Sequence, residues 1–171
     1  PGHRLAFTEL MKYGGLSCLP LGLAVLVTLL KAGRAGPADR PEANYLRSAL
    51  LASLTLFAVG GVLGFLISGV DIVIPAHYHG STVGVTIAFM GLCYYLLPRL
   101  GFGAPPPRLA WWQPILYGGG QLLHILGLAW TGGYGVQRKT AGLAQGLDRL
   151  GEVAGMGLMG LGGLISVIGG L

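Results

Sequence analysis

The chain alternates between long apolar runs and short polar interruptions, and the runs are far too long to be strands. Five stretches approach the ~20 apolar residues that a helix needs to cross the hydrocarbon core. They cover residues 14–30, 46–70, 74–97, 111–130 and 151–171. The pattern predicts an all-α, polytopic transmembrane helix bundle with five transmembrane helices, forming a single membrane domain over residues 1–171. A short amphipathic stretch, His3 to Lys12, precedes the first run.

The interruptions set neighbours and sides. Residues 31–47 hold Pro37, Asp39, Pro41 and Glu42, and are expected to form a solvated connection of more than a dozen residues. The second connection, around Gly69 to Asp71, is so short that runs two and three must be antiparallel neighbours. The third, 98–108, contains Pro105, Pro106 and Pro107, which end one helix and stiffen entry to the next. Loops one and three share a side and carry Lys31, Arg34, Arg40, Arg47, Arg99 and Arg108. The other side carries Arg4, Lys12, Arg138, Lys139 and Arg149. Six cations against five do not fix an orientation. If Arg138 and Lys139 serve a ligand the comparison is six against three, which places loops 31–47 and 98–108 in the cytoplasm by the positive-inside rule.

Composition supports the class. Charged residues make up 10% of the chain and hydrophobic ones 53%, where soluble domains carry about 25% charged residues. Soluble enzymes, disordered tails and disulfide scaffolds are thereby excluded. The net charge of +5 lies almost wholly between the apolar runs, so it is a topology signal and calls for no nucleic-acid partner. Glycine supplies 32 of the 171 residues, without collagen periodicity. That excess suits close helix packing or close approach to a flat ligand. Cys18 and Cys93 sit in separate runs without a partner spacing and are expected to be small buried residues. Both chain ends look cut, as in a fragment of a longer chain or one piece of a divided subunit.

Chemistry concentrates in the third run, Pro75-Ala76-His77-Tyr78-His79-Gly80-Ser81-Thr82-Val83-Gly84. Ionisable side chains inside membranes are functional candidates by default. On a helix, residues two apart point roughly 200° from each other, so His77 and His79 cannot chelate one metal ion. A helix offering one imidazole to each flank suits two separate metal centres, and within a lipid-embedded bundle the natural single-His centre is haem iron. Gly80 and Gly84 would then clear space for a macrocycle. The alternative is two unrelated His, each bonded to a backbone carbonyl or to water.

The segments Val59-Gly60-Gly61-Val62-Leu63-Gly64, Asp71-Ile72-Val73, Ala76-His77-Tyr78-His79 and Ala88-Phe89-Met90-Gly91 resemble the ninth and tenth helices of subunit I of the haem-copper oxidases. His124-Ile125-Leu126-Gly127-Leu128-Ala129 and Gly135-Val136-Gln137-Arg138-Lys139 are similar to that family's eleventh helix and its basic pair. The resemblance implies the C-terminal part of subunit I, about helices eight to twelve, of a cytochrome c oxidase-like enzyme. It implies two haems: His77 as the catalytic proximal ligand of the high-spin haem iron, His79 as an axial ligand of the low-spin haem iron, and Tyr78 between them on the electron path. Arg138 and Lys139 would hold haem propionates, against the alternative of snorkelling interfacial anchors. His124 would be a hydrogen-bonded buried residue that does not bind iron, and Asp71 a helix cap or a neighbour of the propionates.

Departures from the pattern are specific. Only Ile74, Pro75 and Ala76 separate the Asp-Ile-Val element from His77, so the His-Asp pair that many members offer to magnesium has no counterpart. Residues Trp130 to Tyr134 form an insertion before the basic pair. The copper ligands and the second axial His of the low-spin haem come from earlier helices, outside this chain, which alone would be inactive. Implied partners are the remaining helices of subunit I, other oxidase subunits, cytochrome c or another electron donor, and the bilayer of a bacterial or archaeal cytoplasmic membrane. Rival readings are a nitric oxide reductase large subunit, a non-enzymatic di-haem membrane electron carrier, and a transporter with a helix broken at Gly132-Gly133.

Overall fold

The computed structural model describes residues 2–35, 41–137, 139 and 146–171, and these are helical almost throughout, with no strand among them. The chain divides into two compact units, 1–40 and 41–171. The first contains α1 (Gly2–Gly14), a 3₁₀ turn (Gly15–Cys18) and α2 (Leu19–Ala35). The amphipathic stretch is thus helical and runs on into the first apolar run.

The second unit holds α3 (Pro41–Phe65), α4 (Val73–Leu96), α5 (Pro107–Gly132) and α6 (Leu150–Gly170). Two of these helices begin on proline, Pro41 and Pro107, whose fixed φ and missing N–H suit a first helical position. For that reason α3 starts inside what hydropathy assigns to the first loop. That connection is correspondingly shorter than expected, since α2 extends to Ala35 and α3 opens at Pro41. At its other end α3 stops at Phe65, before the apolar run does, and residues 66–72 make the tight connection to α4. The Asp71 carboxylate accepts the Val73 N–H at 2.9 Å, which caps the opening turn of α4.

Helices α3, α4 and α5 enclose a core in which Leu56, Ile87 and Ile125 are fully buried, and α6 packs along α5. Alternating helix directions bring the start of α3, the end of α4 and the start of α5 to one end. There Ser48 Oγ donates to the Trp111 carbonyl at 3.3 Å, Tyr45 meets Tyr94 edge to face, and Arg99 pairs with Glu42 at 3.1 Å. At the opposite end Ile72 N–H donates to the Val136 carbonyl, which pins the chain leaving α5 beside the tight connection.

Glycine and small polar residues share the interior with those core residues, while many large apolar side chains face outward. Gly60, Gly80, Gly84, Ser53, Thr131 and Ser166 are buried, while Leu161, Leu164, Val167 and Ile168 of α6 are more than half exposed. Soluble monomers rarely expose a continuous apolar face of this kind. Among the described residues three stretches are long and apolar enough to cross a membrane, Gly2–Ala32, Pro41–Phe65 and Leu150–Gly170. Helices α4 and α5 have the length, but His77, His79, Ser81, Thr82, Gln113, Gln121 and His124 lower their hydropathy. Cys18 and Cys93 are exposed, against the expectation of burial. In an apolar solvent a helix is apolar all round, so an apolar run does not reveal which side faces inward.

Candidate functional site

Ala76 and Gly80 are buried on α4, and this packing rotates the two candidate ligands to different flanks. His77 is half-buried against α3. Its Nδ1 donates to the Gly60 carbonyl at 2.7 Å, because a carbonyl can only accept. The ring also lies over Gly64, where an added Cβ would stand 2.8 Å from Nδ1. The bond fixes the tautomer and leaves Nε2 as the lone-pair nitrogen. A backbone carbonyl on one ring nitrogen is the arrangement that orients metal-ligating histidines and raises their basicity.

His79 is exposed and turns toward α5, with its ring centroid 4.9 Å from that of His124. His124 is half-buried, and its Nδ1 donates to the Met159 carbonyl of α6 at 3.0 Å. This is the hydrogen-bonded histidine expected from the sequence, and its contact with His79 is a feature that one-dimensional spacing does not carry. Tyr78 is exposed, 5.4 Å from His77 between ring centroids.

The space assigned to a macrocycle beside Gly80 and Gly84 is filled by α3. A Cβ on Gly80 would stand 2.7 Å from Gly60 Cα, and one on Gly84 2.8 Å from Phe57 N. These glycines serve helix contact, the other of the two uses that glycine excess suggested. The sequence also gave no role to Gly60 and Gly64, which seat His77. Their signal was the glycine spacing on run two, legible only once α3 and α4 are known to touch along that face.

At the other end of the basic-pair question, Arg138 lies outside the described residues. Lys139 is exposed with φ 64°, and the Asp71–Gln137 bridge holds the chain before it close to the start of α4. A cleft of about 290 Å³ opens there between Leu63, Ser68, Asp71 and Gly132; neither His77 nor His79 lines it.

Two imidazoles leave α4 on different flanks, and His77 is oriented through its Nδ1, which would suit one axial nitrogen for each of two haems. A flat cradle would have to come from chain other than Gly80 and Gly84. Among the described residues no group of three or more His, Cys, Asp or Glu converges as a metal site.

No family model matches the chain, and no solved structure matches it. It is similar to an uncharacterized protein of Rickettsia prowazekii, 39% identical over an alignment of 139 residues, with 75% of this chain and 27% of the relative covered. It is also similar to an uncharacterized protein of Aquifex aeolicus, 28% identical over 88 residues, 52% of this chain and 20% of the relative. The chain therefore spans 27% or less of the length of these curated relatives.

Proposed function

We propose that this chain is the haem-binding, C-terminal part of a respiratory terminal oxidase subunit I of the haem-copper superfamily, with α2 to α6 as five membrane spans. The observation that carries the reading is the state of the His-Tyr-His turn. His77 is anchored through Nδ1 to the Gly60 carbonyl, and His79 leaves the same helix on another flank. A rigid helical turn that offers two imidazoles in divergent directions fixes the separation of two iron centres. When bound, the haems supply the electron transfer and oxygen chemistry of the family. The residues of this chain would hold the groups through the ring nitrogens of His77 and His79, with Tyr78 between them, and through propionate contacts at Arg138 and Lys139. Guanidinium groups suit that last task because they bind carboxylates in bidentate fashion.

Copper ligands and the second axial histidine belong to other helices, so dioxygen reduction requires the longer subunit, its partner subunits and an electron donor such as cytochrome c. In a bacterial or archaeal cytoplasmic membrane, segments 31–47 and 98–108 face the cytoplasm. The optical spectrum of the complete complex, before and after dithionite, tests the reading. His79→Ala removes the low-spin signal, and His77→Ala perturbs the high-spin signal and its carbon monoxide adduct. Both spectra intact in both variants would overturn the assignment.

A further inference from the structure

A second site lies at the far end of the bundle from His77. A groove of about 420 Å³ runs between α3 and α5, with Arg47 and Trp111 at its mouth and Leu51, Ile115 and Gly119 along its wall. The lining runs from Asn44 to Leu56 on α3, twelve residues, and from Trp111 to Leu122 on α5, eleven. At 1.5 Å per residue the groove is ~17 to ~18 Å long, a little over half of the ~30 Å hydrocarbon core. It therefore spans a single leaflet, with an indole at the interfacial depth that tryptophan favours.

The mouth carries an unmatched charge. Arg47 is half-buried, and no carboxylate among the described residues lies within ion-pair distance of it; Glu42, five residues earlier on α3, is held by Arg99. A half-desolvated guanidinium there needs an anion. Gly119 keeps the groove open, because a Cβ on it would meet nothing within 4 Å, whereas the neighbouring Gly118 is closed off by Ile87 and Ala52.

We propose that this groove binds an anionic phospholipid, with its phosphate on Arg47 and one acyl chain lying along Leu51, Ile115 and Gly119. An uncompensated cation at the head of a leaflet-long apolar channel matches that chemistry and no zwitterion equally well. Basic recesses between membrane helices commonly hold anionic headgroups on the cytoplasmic side. The proposal does not depend on haem ligation by His77 or His79, although the cytoplasmic placement of the groove rests on the topology proposed above.

The test is native mass spectrometry of the chain released from micelles that contain equal amounts of phosphatidylglycerol and phosphatidylcholine with identical acyl chains. The expected result is retained phosphatidylglycerol at about tenfold preference, equivalent to ~1.4 kcal/mol. Arg47→Gln brings the ratio to about one. Gly119→Leu, whose Cβ meets no protein atom within 4 Å, fills the channel and removes both lipids while the helicity of the variant matches that of the unmodified chain. Millimolar inorganic phosphate does not displace the lipid. Equal retention of the two lipids by the unmodified chain, an undiminished preference in Arg47→Gln, retained lipid in Gly119→Leu, or displacement by free phosphate each overturns the proposal.

Discussion

The α5/α6 seam and the α3/α4 seam are both built on glycine, yet they use it differently. Along α6, Gly155, Gly162 and Gly169 recur every seventh residue and lie against the backbone of α5 at Gly127, Gly120 and Tyr117. Along the other seam, Gly80 and Gly84 of α4 touch α3 backbone in the same way, but Gly60 and Gly64 of α3 also receive a side chain, His77. At Gly162 and Gly169 the first seam is a contact of backbone on backbone, with the His124 ring beside it bonded to the Met159 carbonyl. The second gives part of its length to hold an imidazole. A glycine opposite backbone cannot be replaced without moving a helix, whereas a glycine opposite an imidazole can be replaced by moving one ring. The two seams should therefore respond to substitution on different scales.

The largest effect belongs to Gly162→Leu, because a Cβ there runs into the backbone of His124 and Gly120. Overpacking costs ~1 to 3 kcal/mol where side chains can give, and here none can, so the loss should exceed that range and α6 should separate from α5. Protease accessibility of α6 in bilayers reads this directly. Gly160→Ala, two residues away on the other face of the same helix and open within 4 Å, should be neutral or stabilising by up to ~1 kcal/mol through helix propensity. Equal losses in both variants would mean that the seam is not glycine-dependent.

Gly64→Ala should cost less, about 1 to 2 kcal/mol, and its cost should fall on His77. The added methyl stands 2.8 Å from the imidazole Nδ1, closer than van der Waals contact allows, so the ring must move and its bond to the Gly60 carbonyl weakens or breaks while the seam persists. Gly61→Ala is the matched control, with nothing within 4 Å. Reversible unfolding in detergent gives the stability difference, and the histidine ring NMR shifts report the lost bond. An unmoved His77 resonance in Gly64→Ala would erase the distinction between the two seams.

The sequence carried the number and order of the long apolar runs because hydropathy over ~20 residues is set by the solvent, and each run from residue 46 onward corresponds to one helix of the second unit. It located their ends less well. Pro41 and Pro107 begin helices from within polar segments, and Asp71 opens α4 by capping it, whereas run counting follows side-chain polarity alone. The divergence of His77 and His79 was legible from helical geometry. The tenancy of Gly80 and Gly84 was not, since a missing side chain shows that something comes close without showing what. The His79–His124 contact was equally hidden, because it depends on how α4 and α5 rotate against each other.

At its polar end the α5/α6 seam depends on Glu152, which is buried and accepts the N–H groups of Asp148 and Arg149 at 2.9 and 3.0 Å. Glu152→Gln keeps the shape and removes the charge from a helix N-terminus. A loss of about 1 kcal/mol is expected, visible as a lower midpoint in the same unfolding titration. A loss below ~0.3 kcal/mol would mean that the helix end is held by packing alone.

The smallest effect should come from the polar end of the α3/α4 seam, where Arg99 meets Glu42. Both side chains are nearly half exposed, 46% and 48%, so water and salt screen the pair, and exposed ion pairs are worth ~0 to 1 kcal/mol. Arg99 has other holds as well. Its guanidinium donates to the Tyr95 carbonyl and lies 3.5 Å from the centre of the Tyr95 ring. Glu42→Gln removes only the Coulomb part and leaves those contacts in place, so it should cost ~0.5 kcal/mol or less. In 1 M salt, where the Debye length falls to ~3 Å, the unmodified chain and the variant should unfold at the same midpoint. A loss as large as that of Glu152→Gln, persisting in salt, would show a desolvated pair and would make the two polar ends equivalent.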